Sequence, residues 1–233
     1  MIAENIQHLR ERITAKCSEF KRNPQGIKII AVSKFFGLDA INEANRRGIT
    51  DFGENKAQEL RDKFDILGDK VSWHFIGNLQ RNKVKYAVKA ATYIHSVDSS
   101  MLADEINNQA QKINKVQKIL LEVKTSSEDS KSGLITDTEV LSLVKHCSVL
   151  SNIELVGLMT MAPFTDDVEI IRKSFVHLRN LRDKINQNGF DLRELSMGMT
   201  NDYEIAIEEG ATILRIGSAI FGQRDTTKDW RQS

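Results

Sequence analysis

Lys34 closes the apolar run Ile29-Ile30-Ala31-Val32-Ser33. A lysine there is anchored by a buried strand while its side chain reaches a cavity mouth. An ammonium that loses hydration is easier to deprotonate, and the neutral amine attacks carbonyl carbons to form a Schiff base. The same placement also suits a lysine that lays its stem on apolar surface and keeps its charge in water. Near the other end, Ser196-Met197-Gly198-Met199-Thr200 precedes Asn201-Asp202 and a helical pattern through Glu209. Small and hydroxyl residues at a helix N-terminus present free backbone N–H groups to a phosphate. Arg215-Ile216-Gly217-Ser218-Ala219 offers a second small-residue turn that an anion can approach closely. Either motif alone reads more readily as an ordinary helix cap or turn glycine. The pair, in this order at the end of the chain, points to a phosphate.

Arg215 alternates with Leu214 and Ile216, so if those two face a wall of helices the guanidinium points the other way, where it needs an acceptor. A heteroaromatic ring nitrogen would serve, and so would a carboxylate such as Glu54 or Glu122. An aldehyde at Lys34, a ring nitrogen at Arg215 and a phosphate at Gly217 together outline pyridoxal 5′-phosphate.

The elements that must position these groups follow from the apolar patterning. Short β-branched runs lie at 27–33, 50–52, 72–76, 92–97, 117–123, 154–159, 194–197 and 212–216, with helical patterns between them. The longest helical pattern puts Val168, Ile171, Phe175, Leu178, Leu181 and Ile185 on one face. Eight successive strand–helix units predict an α/β fold: a single (β/α)₈ TIM barrel, with a doubly wound open sheet as the alternative. Ile6, Leu9, Ile13, Cys17 and Phe20 make one stripe on an extra N-terminal helix ahead of the first strand. Barrels place their sites at the carboxyl ends of the strands. Lys34, Asn55, His74, Thr160, the Ser196–Thr200 stretch and Gly217-Ser218 all fall in or just after an apolar run. A single domain is expected over 1–225, with a frayed polar tail at 226–233.

Composition narrows the partners. The 233 residues carry 33 basic and 32 acidic side chains, so no global field attracts nucleic acid or anionic lipid. Neither a signal peptide nor a membrane span is apparent, and Cys17 and Cys147 match no metal or redox spacing. A cytoplasmic protein with reduced cysteines, no metal site, and no nucleic-acid or membrane partner is expected.

Longer motifs run through the chain in a fixed order: AVSK at 31–34, FGENKAQE at 52–59, WHFIGNLQRNK at 73–83, HSVDS at 95–99, GLMTMAP at 157–163, LSMGMTND at 195–202 and RIGSAIFG at 215–222. Over nearly its whole length the chain resembles the pyridoxal phosphate homeostasis proteins, the YggS/PROSC family. The resemblance implies a fold-type III barrel like the N-terminal domain of alanine racemase, without that enzyme's second, β-rich domain. It also implies the cofactor pyridoxal 5′-phosphate, held by Lys34 as a Schiff base, with Arg215 facing the pyridine nitrogen and Ser196, Thr200, Gly217 and Ser218 around the phosphate. Asn55, His74 and Met197 would lie near the ring. Two departures from the family pattern stand out. Phe35-Phe36 follow the lysine where a polar or basic residue is commoner, and Thr200, which keeps the hydroxyl, replaces the commoner Ser. A racemase of this type takes a second acid or base from a tyrosine of the missing domain. The implied role is therefore binding and delivery of the cofactor in vitamin B6 and amino-acid homeostasis, without robust turnover, by a monomer whose recipients are apo pyridoxal-phosphate enzymes. The alternatives are a fold-type III enzyme, an amino-acid racemase or decarboxylase, and an aldolase-like barrel for another phosphorylated metabolite.

Overall fold

The computed structural model describes residues 1–125, 132–223 and 230–232. Eight parallel strands close into a barrel: β1 (Lys28–Val32), β2 (Asp51–Glu54), β3 (Ser72–Phe75), β4 (Tyr93–Val97), β5 (Gln117–Glu122), β6 (Ile153–Met159), β7 (Glu194–Ser196) and β8 (Ile213–Ile216). Each pairs with its sequence neighbour, and β8 closes on β1 with Ile30 opposite Arg215. The strands stand where the apolar runs were expected, with ends displaced by a residue or two. Strand ends are set by hydrogen bonds to the neighbouring strand, which a single segment's periodicity does not carry. The open-sheet alternative is excluded by the β1–β8 pairing.

The helices are α1 (Ile2–Glu19), α2 (Leu38–Arg46), α3 (Ala57–Leu67), α4 (Val84–Ala90), α5 (Ser100–Gln111), α6 (Asp137–Cys147), α7 (Val168–Gln187), α8 (Tyr203–Glu208) and α9 (Ser218–Phe221). Their starts carry local instructions. Thr136 and Glu139 form a reciprocal capping box on α6, and the Asp167 carboxylate accepts the Glu169 and Ile170 N–H groups at the head of α7. The extra helix α1 buries Ile6, Leu9, Ile13 and Cys17 and packs against α2, α8 and α9. It thereby covers the flank where β8 meets β1.

Two apolar regions divide the interior. A large one joins outward-facing strand residues such as Phe52, Phe75, Ile94 and Leu195 to helix residues such as Leu60, Ile106, Phe175 and Leu178. A small one, Ile30, Leu120, Met159 and Ile213, fills the barrel itself. Between β6 and β7 the backbones approach so closely that a Cβ on Gly157 would stand 2.0 Å from the Glu194 carbonyl oxygen. Both cysteines are buried and unpaired, and burial pushes the Cys147 thiol up to about 12, which leaves it inert.

Of the tail expected at 226–233, residues 226–229 and 233 lie outside the described residues. Within the described part, Trp230 is buried with its ring over Lys63, and Arg231 pairs with Asp62. Where the sequence reading expects a frayed end, an apolar ring and a guanidinium hold this part of the chain against α3.

Candidate functional site

Lys34 and Phe35 form a turn directly after β1, closed by the Phe36 N–H donating to the Ser33 carbonyl at 3.0 Å. Lys34 is half-buried at the carboxyl end of the strand. Phe35 has φ +71°, a left-handed conformation that costs a side-chain-bearing residue about 1 kcal/mol and persists only when neighbours impose it. The neighbours here are polar and buried. Glu59 Oε1 accepts the Phe35 N–H at 3.0 Å, and Ser33 Oγ donates to Glu54 Oε1 at 2.6 Å. Lys63, fully buried, donates to the Ser33 carbonyl at 2.9 Å and to Glu54 and Glu59 at 2.8 Å each. Glu59 and Lys63 are one turn apart on α3, so a single helix face grips both sides of Lys34. Burial pushes the Glu54 carboxyl up to about 7 against the pull of Lys63. Its Oε2 is buried without a hydrogen-bond partner.

Arg215, in β8, is buried and gives its hydrogen bonds to neutral acceptors: NH1 to the Ser196 carbonyl and hydroxyl at 2.7 Å each, and NH2 to the Thr160 carbonyl at 2.8 Å. Among the described residues it forms no ion pair; Glu54 is taken by Lys63, which removes one of the carboxylate partners expected for it. Burial lowers the guanidinium to about 10, so it stays charged at neutral pH. Glu122, the other candidate, is pushed up to about 7 by burial and by Asp98. Of the five N–H groups of the guanidinium, three are committed, and the planar fork is held rigidly.

From Arg215 a line of side chains crosses the barrel. His95 Nδ1 lies 3.0 Å from Ser196 Oγ, His74 Nδ1 lies 2.9 Å from His95 Nε2, and His74 Nε2 lies 2.9 Å from Asp51 Oδ1. Lys28 reaches the same Asp51 oxygen at 3.1 Å, and Thr50 donates to the other at 2.7 Å. Burial raises the Asp51 carboxyl, but the bonds from His74 and Thr50 outweigh it and hold the group well below the usual carboxylate range. Burial lowers both histidines, which keeps them neutral. Lys28 and Asp51 begin β1 and β2, and Ser196 ends β7, so the line runs from the amino-terminal side of the barrel to its mouth.

Thr200, Gly217 and Ser218 lie together at the mouth: the Thr200 hydroxyl accepts the Ala219 N–H at 3.4 Å, joining the loop after β7 to the start of α9. Gly217 lies beside Val32 of β1, so this corner adjoins the strand that ends in Lys34. Asn55 follows β2, and its buried Oδ1 has no hydrogen-bond partner among the described residues. Its backbone is pressed against the end of β3, where a Cβ on Gly77 would stand 2.3 Å from the Asn55 carbonyl oxygen.

Three residues expected near the ring or the phosphate are engaged with the protein itself. His74 is fully buried with both nitrogens engaged and stacks on Tyr93, ring centroids 4.7 Å apart. Ser196 commits its hydroxyl to His95 and Arg215, so it orients the guanidinium where phosphate contact was expected. Met197, next along the strand, faces out of the barrel into the core shared with the helices. Asp51, His95, Glu59 and Lys63 were not singled out from the sequence. The Glu59–Lys63 spacing was visible there, but reads as a solvated helix pair.

A barrel with a lysine at the end of β1 and an arginine in β8 defines a class. The alanine racemase N-terminal domain family matches residues 2–225. Among solved structures, alanine racemase of Clostridium difficile superposes with a TM-score of 0.74 at 14% identity, covering 96% of this chain and 62% of that one, a likeness of fold alone. Much nearer is a protein named pyridoxal phosphate homeostasis protein in Aquifex aeolicus, 40% identical over 223 residues that cover 95% of this chain and 97% of the relative. Another of that name in Synechocystis is 38% identical, covering 86% and 93%. PipY of Synechococcus elongatus, solved with PLP bound, superposes with a TM-score of 0.85 at 33% identity, covering 95% of this chain and all of that one. The chain belongs to the pyridoxal phosphate homeostasis protein family.

Proposed function

We propose that this protein binds pyridoxal 5′-phosphate at the barrel mouth, covalently through Lys34, and serves intracellular vitamin B6 and amino-acid homeostasis as a carrier without robust turnover. The observation that carries the reading is the β1–β8 closure, which sets Arg215 on one of two hydrogen-bonded strands and Lys34 and the Gly217-Ser218 turn just beyond their ends. The donor set fits the group. Arg215 is a rigid cation without a carboxylate partner among the described residues, Asn55 Oδ1 is a buried acceptor without a partner, and Thr200 is tied to the turn that would hold a phosphate.

When bound, pyridoxal phosphate supplies an aldehyde that condenses with a primary amine. Lys34 supplies that amine from a turn that Glu59 and Lys63 hold fixed. Arg215 would donate toward the ring nitrogen and, remaining charged, would disfavour its protonation, which would weaken carbanion chemistry. Thr200, Gly217 and Ser218 offer a hydroxyl and backbone N–H groups to the phosphate. Ser196, His74 and Met197 act from behind this layer.

The carrier reading is supported by the placement of the tyrosines. Tyr93 lies inside the barrel against His74, Tyr86 lies on α4 beneath Arg61 and Lys85, and Tyr203 lies on α8 beside Arg12. None follows a strand into the mouth, where a racemase would need a second acid or base opposite Lys34. The relatives' name describes homeostasis, and among the described residues no helix is long and apolar enough to cross a membrane. A cytoplasmic monomer that passes the cofactor to apo-enzymes follows from this reading. The test is to reduce the loaded protein with borohydride and map the modified peptide. Modification at Lys34 supports the assignment and modification elsewhere refutes it. Incubating the loaded protein with each amino acid, followed by chiral analysis, tests for turnover, and appreciable racemised or decarboxylated product would make it an enzyme. A mass in solution near twice 26.4 kDa would refute the monomer.

A further inference from the structure

The line from Asp51 to Arg215 has a direction fixed from its Asp51 end. Asp51, ionised, can only accept, so His74 must donate from Nε2. Being neutral, His74 then accepts at Nδ1 from His95 Nε2–H, and neutral His95 accepts at Nδ1 from the Ser196 hydroxyl. Arg215 can only donate, so Ser196 Oγ accepts from it, which agrees with a hydroxyl that gives its own proton to His95 Nδ1. Every donor points toward Asp51, and no group in the buried chain is left with donor facing donor.

We propose that Asp51 is a positioning residue for Arg215, acting through His74, His95 and Ser196. This rests on the reading that Arg215 faces the pyridine nitrogen. The Asp51 charge holds His74 in the Nε2–H form, and each bond polarises the next. At the far end, the Ser196 oxygen is left as an acceptor of one fixed orientation, in the plane that the fork of Arg215 requires. Without the carboxylate, His74 and His95 can each adopt the other tautomer. The Ser196 proton then turns toward Arg215, where it opposes the guanidinium. Lys28 and Thr50 fix the carboxylate, and Tyr93 stacks on His74 with ring planes 2° apart, so the anchor itself has little freedom.

Two measurements test this. In the cofactor-free protein with 15N-labelled histidine, long-range 15N–1H correlation at neutral pH should show His74 and His95 both neutral and both protonated at Nε2. A Nδ1–H tautomer or a charged ring at either position overturns the proposal, and no variant is needed. In Asp51→Asn, affinity for pyridoxal phosphate should fall about three- to ten-fold, the worth of one loosened buried hydrogen bond. Affinity for the 1-deaza analogue, in which C–H replaces the ring nitrogen, should stay within about two-fold, because Arg215 has no nitrogen to address there. Equal losses for both ligands, or no loss for either, would show that Asp51 does not act through Arg215. A wild-type protein that binds neither ligand would refute the cofactor reading itself and leave the tautomer result to stand or fall separately.

Discussion

Glu59 Oε1 accepts the backbone N–H of Phe35 at 3.0 Å, and that bond ties helix α3 to the turn carrying Lys34. The same oxygen receives Lys63, which also bonds Glu54 and the Ser33 carbonyl. Two buried carboxylates therefore share one buried cation immediately behind the proposed cofactor lysine.

Removing that cation should be costly. Lys63→Met keeps much of the volume but leaves Glu54 and Glu59 facing each other without compensation, so a loss of about 3–5 kcal/mol is expected in urea unfolding. A loss below about 1 kcal/mol would mean the two carboxylates relieve each other by protonation at little cost. In that case the cluster would not brace the turn.

Glu122 gives stability a pH dependence of known sign. Its folded pKa, about 7, lies above the usual value of about 4.5, so the native state holds the proton more tightly than the unfolded chain. Between those limits the native form binds more protons, and its stability falls as pH rises, levelling off above about 7. Glu122→Gln removes this contribution. The variant should therefore gain on the wild type by up to about 3 kcal/mol as pH goes from 4.5 to 7, read from denaturant midpoints at several pH values. A constant difference across that range would show Glu122 titrating in the native state as it does in the unfolded chain.

Gly157→Ala tests the close approach of β6 to β7. A methyl group cannot fit 2.0 Å from the Glu194 carbonyl oxygen, so the strands must part and break ladder bonds near Ser196. A loss of at least about 2 kcal/mol is expected by thermal or urea unfolding. A neutral substitution would show that the β6–β7 contact yields easily.

The barrel was legible because each strand is a short β-branched run followed by a helical stripe, and that alternation admits few topologies. Lys34, Asn55, Thr200 and Gly217-Ser218 were legible as groups just beyond strand ends, and the structure places them at the mouth. Side-chain direction was harder. Ser196 ends β7 with its hydroxyl on His95 and Arg215, whereas Met197, just past the strand, packs into the core shared with the helices. Reading Ser196 as inward would have sent Met197 out. His74 falls within β3 and not after it, and its partner Asp51 begins a different strand, so no linear motif contains the pair. Glu59 and Lys63 read as a surface pair because their burial arises from what packs over α3, including Trp230, which lies 167 positions further along the chain than Lys63. Long-range packing of that kind leaves no local trace.

The proposed function turns on Lys34 as the anchor for pyridoxal phosphate. The most direct measurement is an absorbance spectrum of the purified protein after addition of pyridoxal phosphate, with Lys34→Ala beside it, before and after borohydride. The wild type should show a visible band that borohydride bleaches and that the variant lacks. A wild-type protein without the band, or a variant that keeps it, would contradict the account.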